Sequence, residues 1–131
     1  MFPFLKEEIK TKYVSLEIVE GTGKDIYLNV FRKNGDKNNP FSLPLELSDS
    51  DIAEYGMVFA EQGASIYSKE PEKRTAEIED GAVKITIEPE DTIGMSTGAI
   101  EVRLQHDGGK PVSILVGDIR VIRSPTSRIF G

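Results

Sequence analysis

Apolar and polar side chains alternate along much of this chain with the period of a β-strand. The clearest run is Gly81 to Arg123. Val83, Ile85 and Ile87 fall on one face there, opposite Lys84, Thr86 and Glu88. Ile100, Val102 and Leu104 oppose Glu101, Arg103 and Gln105. Val112, Ile114 and Val116 share a face, and after Gly117 the apolar set moves to Ile119 and Val121. A period of two describes a sheet with one face buried and one wet. The change of phase at Gly117 predicts a β-bulge, because one inserted residue turns every later side chain to the other face. Between the last two runs, His106-Asp107-Gly108-Gly109-Lys110-Pro111 supplies the Asp-Gly and Gly-Gly steps of a hairpin turn.

Earlier segments repeat the pattern. Tyr13 to Val19 reads as a strand with Val14, Leu16 and Ile18 inward. Asp25 to Arg32 reads as another, with Ile26, Leu28 and Val30 on one face and Tyr27 and Phe31 on the other. Apolar residues on both sides point to a central position or a covered outer face. Phe41, Leu43, Leu45 and Leu47 alternate with polar residues, and Pro44, which has no N–H, places that strand at an edge. Ser48 or Ser50 is expected to cap one helical turn through Ile52-Ala53-Glu54. Tyr55 to Ala60 is a further strand, Ser68 to Arg74 a charged loop, and Asp80-Gly81 a second hairpin signal. Pro89 suits the start of a one-turn helix or wide turn over Glu88 to Thr92. Leu5 to Lys10 could wind into a turn or two of helix.

Short strands separated by regular turn signals, without a long amphipathic helix, predict an all-β fold. The expectation is an antiparallel β-sandwich, Ig-like or related, of about seven or eight strands with one or two short helical turns. An open barrel is the alternative. The chain of 131 residues divides into an N-terminal arm (1–12), a sandwich domain (13–124) and a C-terminal tail (125–131). Phe2 and Phe4 in the arm either cover the chain's own core or dock on a neighbouring subunit. With Ile129 and Phe130 in the tail, they are the candidate oligomer contacts.

Composition narrows the function. The formal net charge of -6 runs against binding of phosphate backbones and of anionic lipid. Cysteine is absent, so disulfides, thiolate metal sites and cysteine nucleophiles are excluded. No apolar run reaches the ~20 residues that span a bilayer, and the first residues lack a signal peptide's basic leader. Membrane insertion is therefore not expected, and the chain reads as made and folded inside a cell.

Candidate chemistry is sparse. Gly21-Thr22-Gly23-Lys24 lacks the glycine spacing and following Ser or Thr of a phosphate loop. Asn34 to Pro40 is rich in oxygen ligands but lacks the closing Glu of an EF-hand. Asp49, Asp51 and Glu54 form the most metal-like acidic group, and acids at a helix start have a simpler reason in the helix dipole. His106, the sole histidine, abuts a turn and is expected in solvent. No catalytic, cofactor-binding or metal residue is assigned, so an enzyme is not expected. A carbohydrate- or ligand-binding sandwich is the alternative, with Tyr13, Tyr27, Phe31, Tyr55 and Tyr67 as stacking platforms.

The order of segments carries a resemblance. A Leu-rich strand precedes Ser-Asp. Then come Asp-Gly-Ala-Val-Lys-Ile-Thr-Ile (80–87), Gly-Ala-Ile-Glu-Val-Arg-Leu (98–104) and Ile-Leu-Val-Gly-Asp-Ile-Arg-Val-Ile (114–122). From Tyr13 to Ser124 the chain resembles the N-terminal domain of phage baseplate upper proteins and related tail and receptor-binding-apparatus proteins. The resemblance implies a β-sandwich that attaches an oligomeric fibre or baseplate component to the virion. It implies a non-enzymatic structural protein assembled in the bacterial cytoplasm, with other tail or baseplate proteins and further copies of itself as partners.

Overall fold

The computed structural model describes residues 8–33, 43–64, 67 and 72–125. The elements are β1 (Glu8–Ile9), β2 (Lys12–Val19), β3 (Lys24–Leu28), β4 (Phe31–Lys33), β5 (Leu43–Pro44), β6 (Ile52–Glu61), β7 (Glu72–Thr75), β8 (Glu77–Glu79), β9 (Ala82–Ile87), α1 (Pro89–Thr92), β10 (Met95–Gln105) and β11 (Val112–Ile122). The fold is all-β, with eleven strands among the described residues where seven or eight were expected, the surplus coming from pieces of two to four residues. A five-stranded sheet runs β2-β11-β10-β6-β7, and a three-stranded sheet runs β3-β9-β8. A second small sheet, β1-β4-β5, continues from β3 across Asn29 and Val30, so the expected strand Asp25 to Arg32 is broken in two.

Alternation decides which face is covered. Ile18, Tyr55, Met57, Phe59, Ile100, Val102, Leu104, Ile119 and Val121 of the large sheet pack with Leu28, Val83, Ile85 and Ile87 of the three-stranded sheet in one core. Full burial of such a side chain contributes roughly 1.5–3 kcal/mol. Tyr55 is placed in this core by its neighbours on β6, and its hydroxyl donates to the Thr86 carbonyl at 3.0 Å. It thereby ties β6 of the five-stranded sheet to β9 of the three-stranded sheet. Both hairpin turns form as expected: Asp80 and Asp107 have φ of 51° and 50°, each followed by a glycine with positive φ. Asp80-Gly81 form a two-residue hairpin loop between Glu79 and Ala82, and Asp107-Gly108 are the central pair of a β-turn within the longer connection from Gln105 to Val112. In the second turn the Gly109 N–H donates to the His106 carbonyl at 2.9 Å. Pro44 does lie on an edge strand. The expected turn at Pro89 is α1.

Several expectations are corrected. The sheets are not wholly antiparallel: β2 runs parallel to β11. A parallel pair needs a long crossover, and here the rest of the domain provides it. The bulge lies not at Gly117 but at Ile114, which is skipped between the pairs Val102↔Leu115 and Arg103↔Ser113. Ile114 and Leu115 are therefore both buried, and Val116, expected inward, is exposed. Gly117 answers to another need: a Cβ there would stand 2.8 Å from Val14 Cγ2 and 2.9 Å from the Val14 carbonyl oxygen. The helical turn expected after Ser48 is a β-turn, with the Asp51 N–H donating to the Ser48 carbonyl at 3.0 Å, and Ile52-Ala53-Glu54 already belong to β6. Residues 72–74 of the expected charged loop are strand β7. Glu8–Ile9, expected near a helical turn, pair with β4 instead.

Candidate functional site

Three polar constructions and one bare edge stand out. The first is built on Asp51, whose side chain is fully buried between the turn before β6 and the β10–β11 turn. Its Oδ2 accepts the Ser48 N–H at 2.8 Å, and its Oδ1 accepts the Asp107 N–H at 3.0 Å and His106 Nδ1 at 2.9 Å. A carboxylate only accepts, so Nδ1 carries the hydrogen of that contact. Burial pushes the Asp51 carboxyl up, but the Ser48 and Asp107 backbone bonds, and then His106, outweigh it and leave it below its ordinary value. His106 Nε2 stands 3.2 Å from Asp107 Oδ2. The histidine expected in solvent is thus largely covered, its side chain 20% exposed. The acidic trio is not assembled: Asp49 is exposed, and Glu54 pairs with Lys73 at 3.4 Å. Asp51, His106 and Asp107 instead bring one ligand atom each within 4.8 Å of one another. Both Asp51 oxygens already accept hydrogen bonds, so the group locks two turns together. Asp51 had been singled out in sequence, but a contact to a turn 55 residues away has no local signal.

The second construction ties β7 to α1, the helical turn just before β10. Arg74 on β7 grips Asp91 of α1 through two bonds, Nη1 to Oδ2 at 2.8 Å and Nη2 to Oδ1 at 2.7 Å. This fork geometry is the strong form of the pair. The hydrogen bond to Asp91 holds the guanidinium even further above neutrality than usual. Nearby, the buried Glu20 accepts the Gly94 N–H at 2.7 Å, and Thr92 Oγ1 accepts the Gly21 N–H at 2.9 Å. The β2–β3 turn, α1 and the start of β10 are thereby knotted together. The glycine turn considered for phosphate is engaged in this knot.

The third is a groove of about 190 Å³ on the outer face of the five-stranded sheet, floored by Gly56 and walled by Glu54, Lys73, Glu101 and Arg103. Its charges are mutually paired. Arg103 Nε donates to Glu101 at 2.8 Å, and Ser113 Oγ donates to the same carboxylate. The Arg103 bond foremost, then the Ser113 bond, hold Glu101 below the ordinary carboxylate range.

The bare edge is β2. It pairs with β11 on one side and, among the described residues, has no ladder on the other. The Glu20 N–H donates to the Ile122 carbonyl at 2.8 Å, which fixes the parity of the strand. Even-numbered residues aim their backbone groups at β11. Tyr13, Ser15 and Glu17 aim theirs outward, where they take no partner among the described residues. The same odd positions carry the outer-face side chains. Tyr13 is 80% exposed and lies beside Val116, and Val19 lies beside Ile122. All four of these apolar residues are exposed. Between them Ser15 lies beside Asp118, and Glu17 pairs with Arg120 at 3.5 Å.

Of the residues singled out as oligomer contacts, Phe2, Phe4, Ile129 and Phe130 all lie outside the described residues. Of the proposed stacking rings, Tyr55 is buried and Phe31 half-buried under Lys12. Tyr13, Tyr27 and Tyr67 are exposed, but Tyr13 and Tyr27 belong to different sheets and do not share a platform. No helix among the described residues is long and apolar enough to cross a membrane. The sequence matches no protein-family model and no curated protein.

Proposed function

We propose that this chain is a structural component of a phage or prophage tail or baseplate, and that it works by protein–protein contact and not by catalysis. In this reading the two main sheets are the layers of an Ig-like β-sandwich, supported by the single core they share. The observation that carries it is the edge strand β2, whose outward backbone groups at Tyr13, Ser15 and Glu17 take no partner among the described residues, with exposed apolar pairs at both ends. Long open edges are normally blunted by charge, proline or a covering element unless they meet another chain. Here the strand presents Tyr13 and Val19, with one charge, Glu17, between them, and that charge is already matched by Arg120. The resemblance of the 80–122 region to baseplate upper proteins supplies the setting, the virion, and the partners, other tail proteins and further copies of this chain. A carbohydrate-binding role has less support, because the aromatic rings are scattered or buried.

Tail particles purified from the encoding bacterium and analysed by mass spectrometry test this reading. The chain is expected in the particles at a fixed stoichiometry to other tail proteins. Its absence from intact particles would refute the assignment.

A further inference from the structure

We propose that two copies of this chain join antiparallel through β2, with Leu16 on the two-fold axis, to form one continuous ten-stranded sheet. The proposal deepens the assembly reading by naming the partner of its open edge.

The register follows from the residues. Side chains that face each other across an antiparallel seam must lie on the same face of the sheet. With Leu16 at the axis, Tyr13 stands opposite Val19 of the second copy, and Ser15 opposite its Glu17. Odd-numbered residues carry both the outward backbone groups and the exposed side chains, so the 15–17 pair exchanges ladder bonds. The Val19 carbonyl accepts from the Thr22 N–H at 3.1 Å and from Thr22 Oγ1 at 2.6 Å, so the 13–19 pair closes the ends through the Val19 N–H and the packing of its side chains. Each end then carries an apolar row of four: Val116 and Tyr13 from one copy, then Val19 and Ile122 from the other. The two-fold symmetry makes two such rows, and they cover all four exposed apolar residues of this strand pair in both copies.

Neighbouring registers do worse. A slide that puts Glu17 at the axis sets Glu17 against Glu17, two like charges directly opposed. A slide the other way puts Ser15 at the axis, sets Tyr13 against Glu17 and leaves Val19 facing Thr11. Only the register centred on Leu16 matches apolar with apolar and opposes no like charges. Such an interface is isologous and closes as a dimer, which also removes the edge from further pairing.

The test is a charge swap read by analytical ultracentrifugation over a concentration series. Tyr13→Lys and Val19→Glu are made singly and together in the full chain. Residues 13 and 19 lie about 20 Å apart along one strand, so any attraction between the introduced charges is between copies. Wild type is expected to dimerise. Each single variant occurs twice at the seam and is expected to weaken association about tenfold. The double variant is expected to recover most of that loss. Ser15→Pro, which removes an N–H aimed at the open edge, is expected to weaken the dimer without new charge, and circular dichroism melting reports whether each variant is folded. A wild-type chain that stays monomeric throughout overturns the homodimer. It leaves the tail-component reading standing, since that falls only if the chain is missing from tail particles. A dimer unmoved by either single variant places the contact elsewhere and overturns the proposal. Loss in the singles without recovery in the double overturns the register.

Discussion

At the residue scale, Asp51 shows how a single side chain fixes the ends of strands. Its buried carboxylate satisfies two backbone N–H groups and His106 at once. Removing a buried acceptor leaves those donors unpaired, at a cost of about 1–3 kcal/mol. Asp51→Ala is therefore expected to lower stability by about that amount in urea unfolding at neutral pH. The pH dependence follows from the sign of the shift. The folded carboxyl titrates below its ordinary value of 3.8. The stabilisation is complete above that value and is lost as pH falls through the lowered one. The gap between wild type and Asp51→Ala should then narrow on acidification below pH 3.8. Unfolding midpoints measured over a pH series would show this, and a constant gap would mean that ionisation of Asp51 does not matter. Little of this was readable beforehand. Asp51 stood in an acidic group, His106 beside a turn, and only the closure of the sheet brings them to 2.9 Å.

At the element scale, the long strands were legible because one face is buried and period two survives along them. The Val83, Ile85 and Ile87 set and the Ile100, Val102 and Leu104 set face the core as their spacing requires. The misses have physical causes. The strand Glu72–Thr75 contains no apolar residue, because it is an edge whose one inward-working side chain, Arg74, meets an acid instead of the core. The bulge was displaced because Ile114 and Leu115 are both apolar, so the phase change is invisible until the exposed Val116. Glycine within a strand had two meanings, and the structure separates them. A Cβ at Gly98 would stand 2.7 Å from the Phe59 ring and 2.7 Å from the Val58 carbonyl oxygen, whereas one at Gly56 meets nothing closer than 3.8 Å. A carbonyl in a sheet ladder cannot easily give way. Gly98→Ala is expected to cost about 1–3 kcal/mol by overpacking, and Gly56→Ala to be nearly neutral or slightly stabilising. Thermal unfolding of the two variants, side by side, checks this. Equal effects would deny the close approach of β10 to β6.

At the scale of the whole molecule, the parallel pairing of β2 with β11 is what local pattern could not reveal. The partners are about 100 residues apart, and nothing in either strand announces the other. That pairing also makes the two edges of the large sheet unlike each other. The far side of the sheet ends on a short charged strand, β7, while the near side ends on β2, where the outward backbone groups of Tyr13, Ser15 and Glu17 take no partner among the described residues. The four terminal residues singled out from sequence drew attention to the chain ends, while the assembly surface proposed here lies within the fold. Its exposed residues were visible in the alternation of Tyr13 to Val19, but their openness depends on which strand is left at the edge.

Amide hydrogen exchange, followed residue by residue at low and high protein concentration, tests that edge most directly. Val14, Leu16 and Ile18, bonded to β11, should be protected at both concentrations. Ser15 and Glu17 should exchange freely when dilute and become protected when concentrated. Free exchange of Ser15 and Glu17 at every concentration, or protection already present in the dilute monomer, would contradict an edge that is open and meets a second copy.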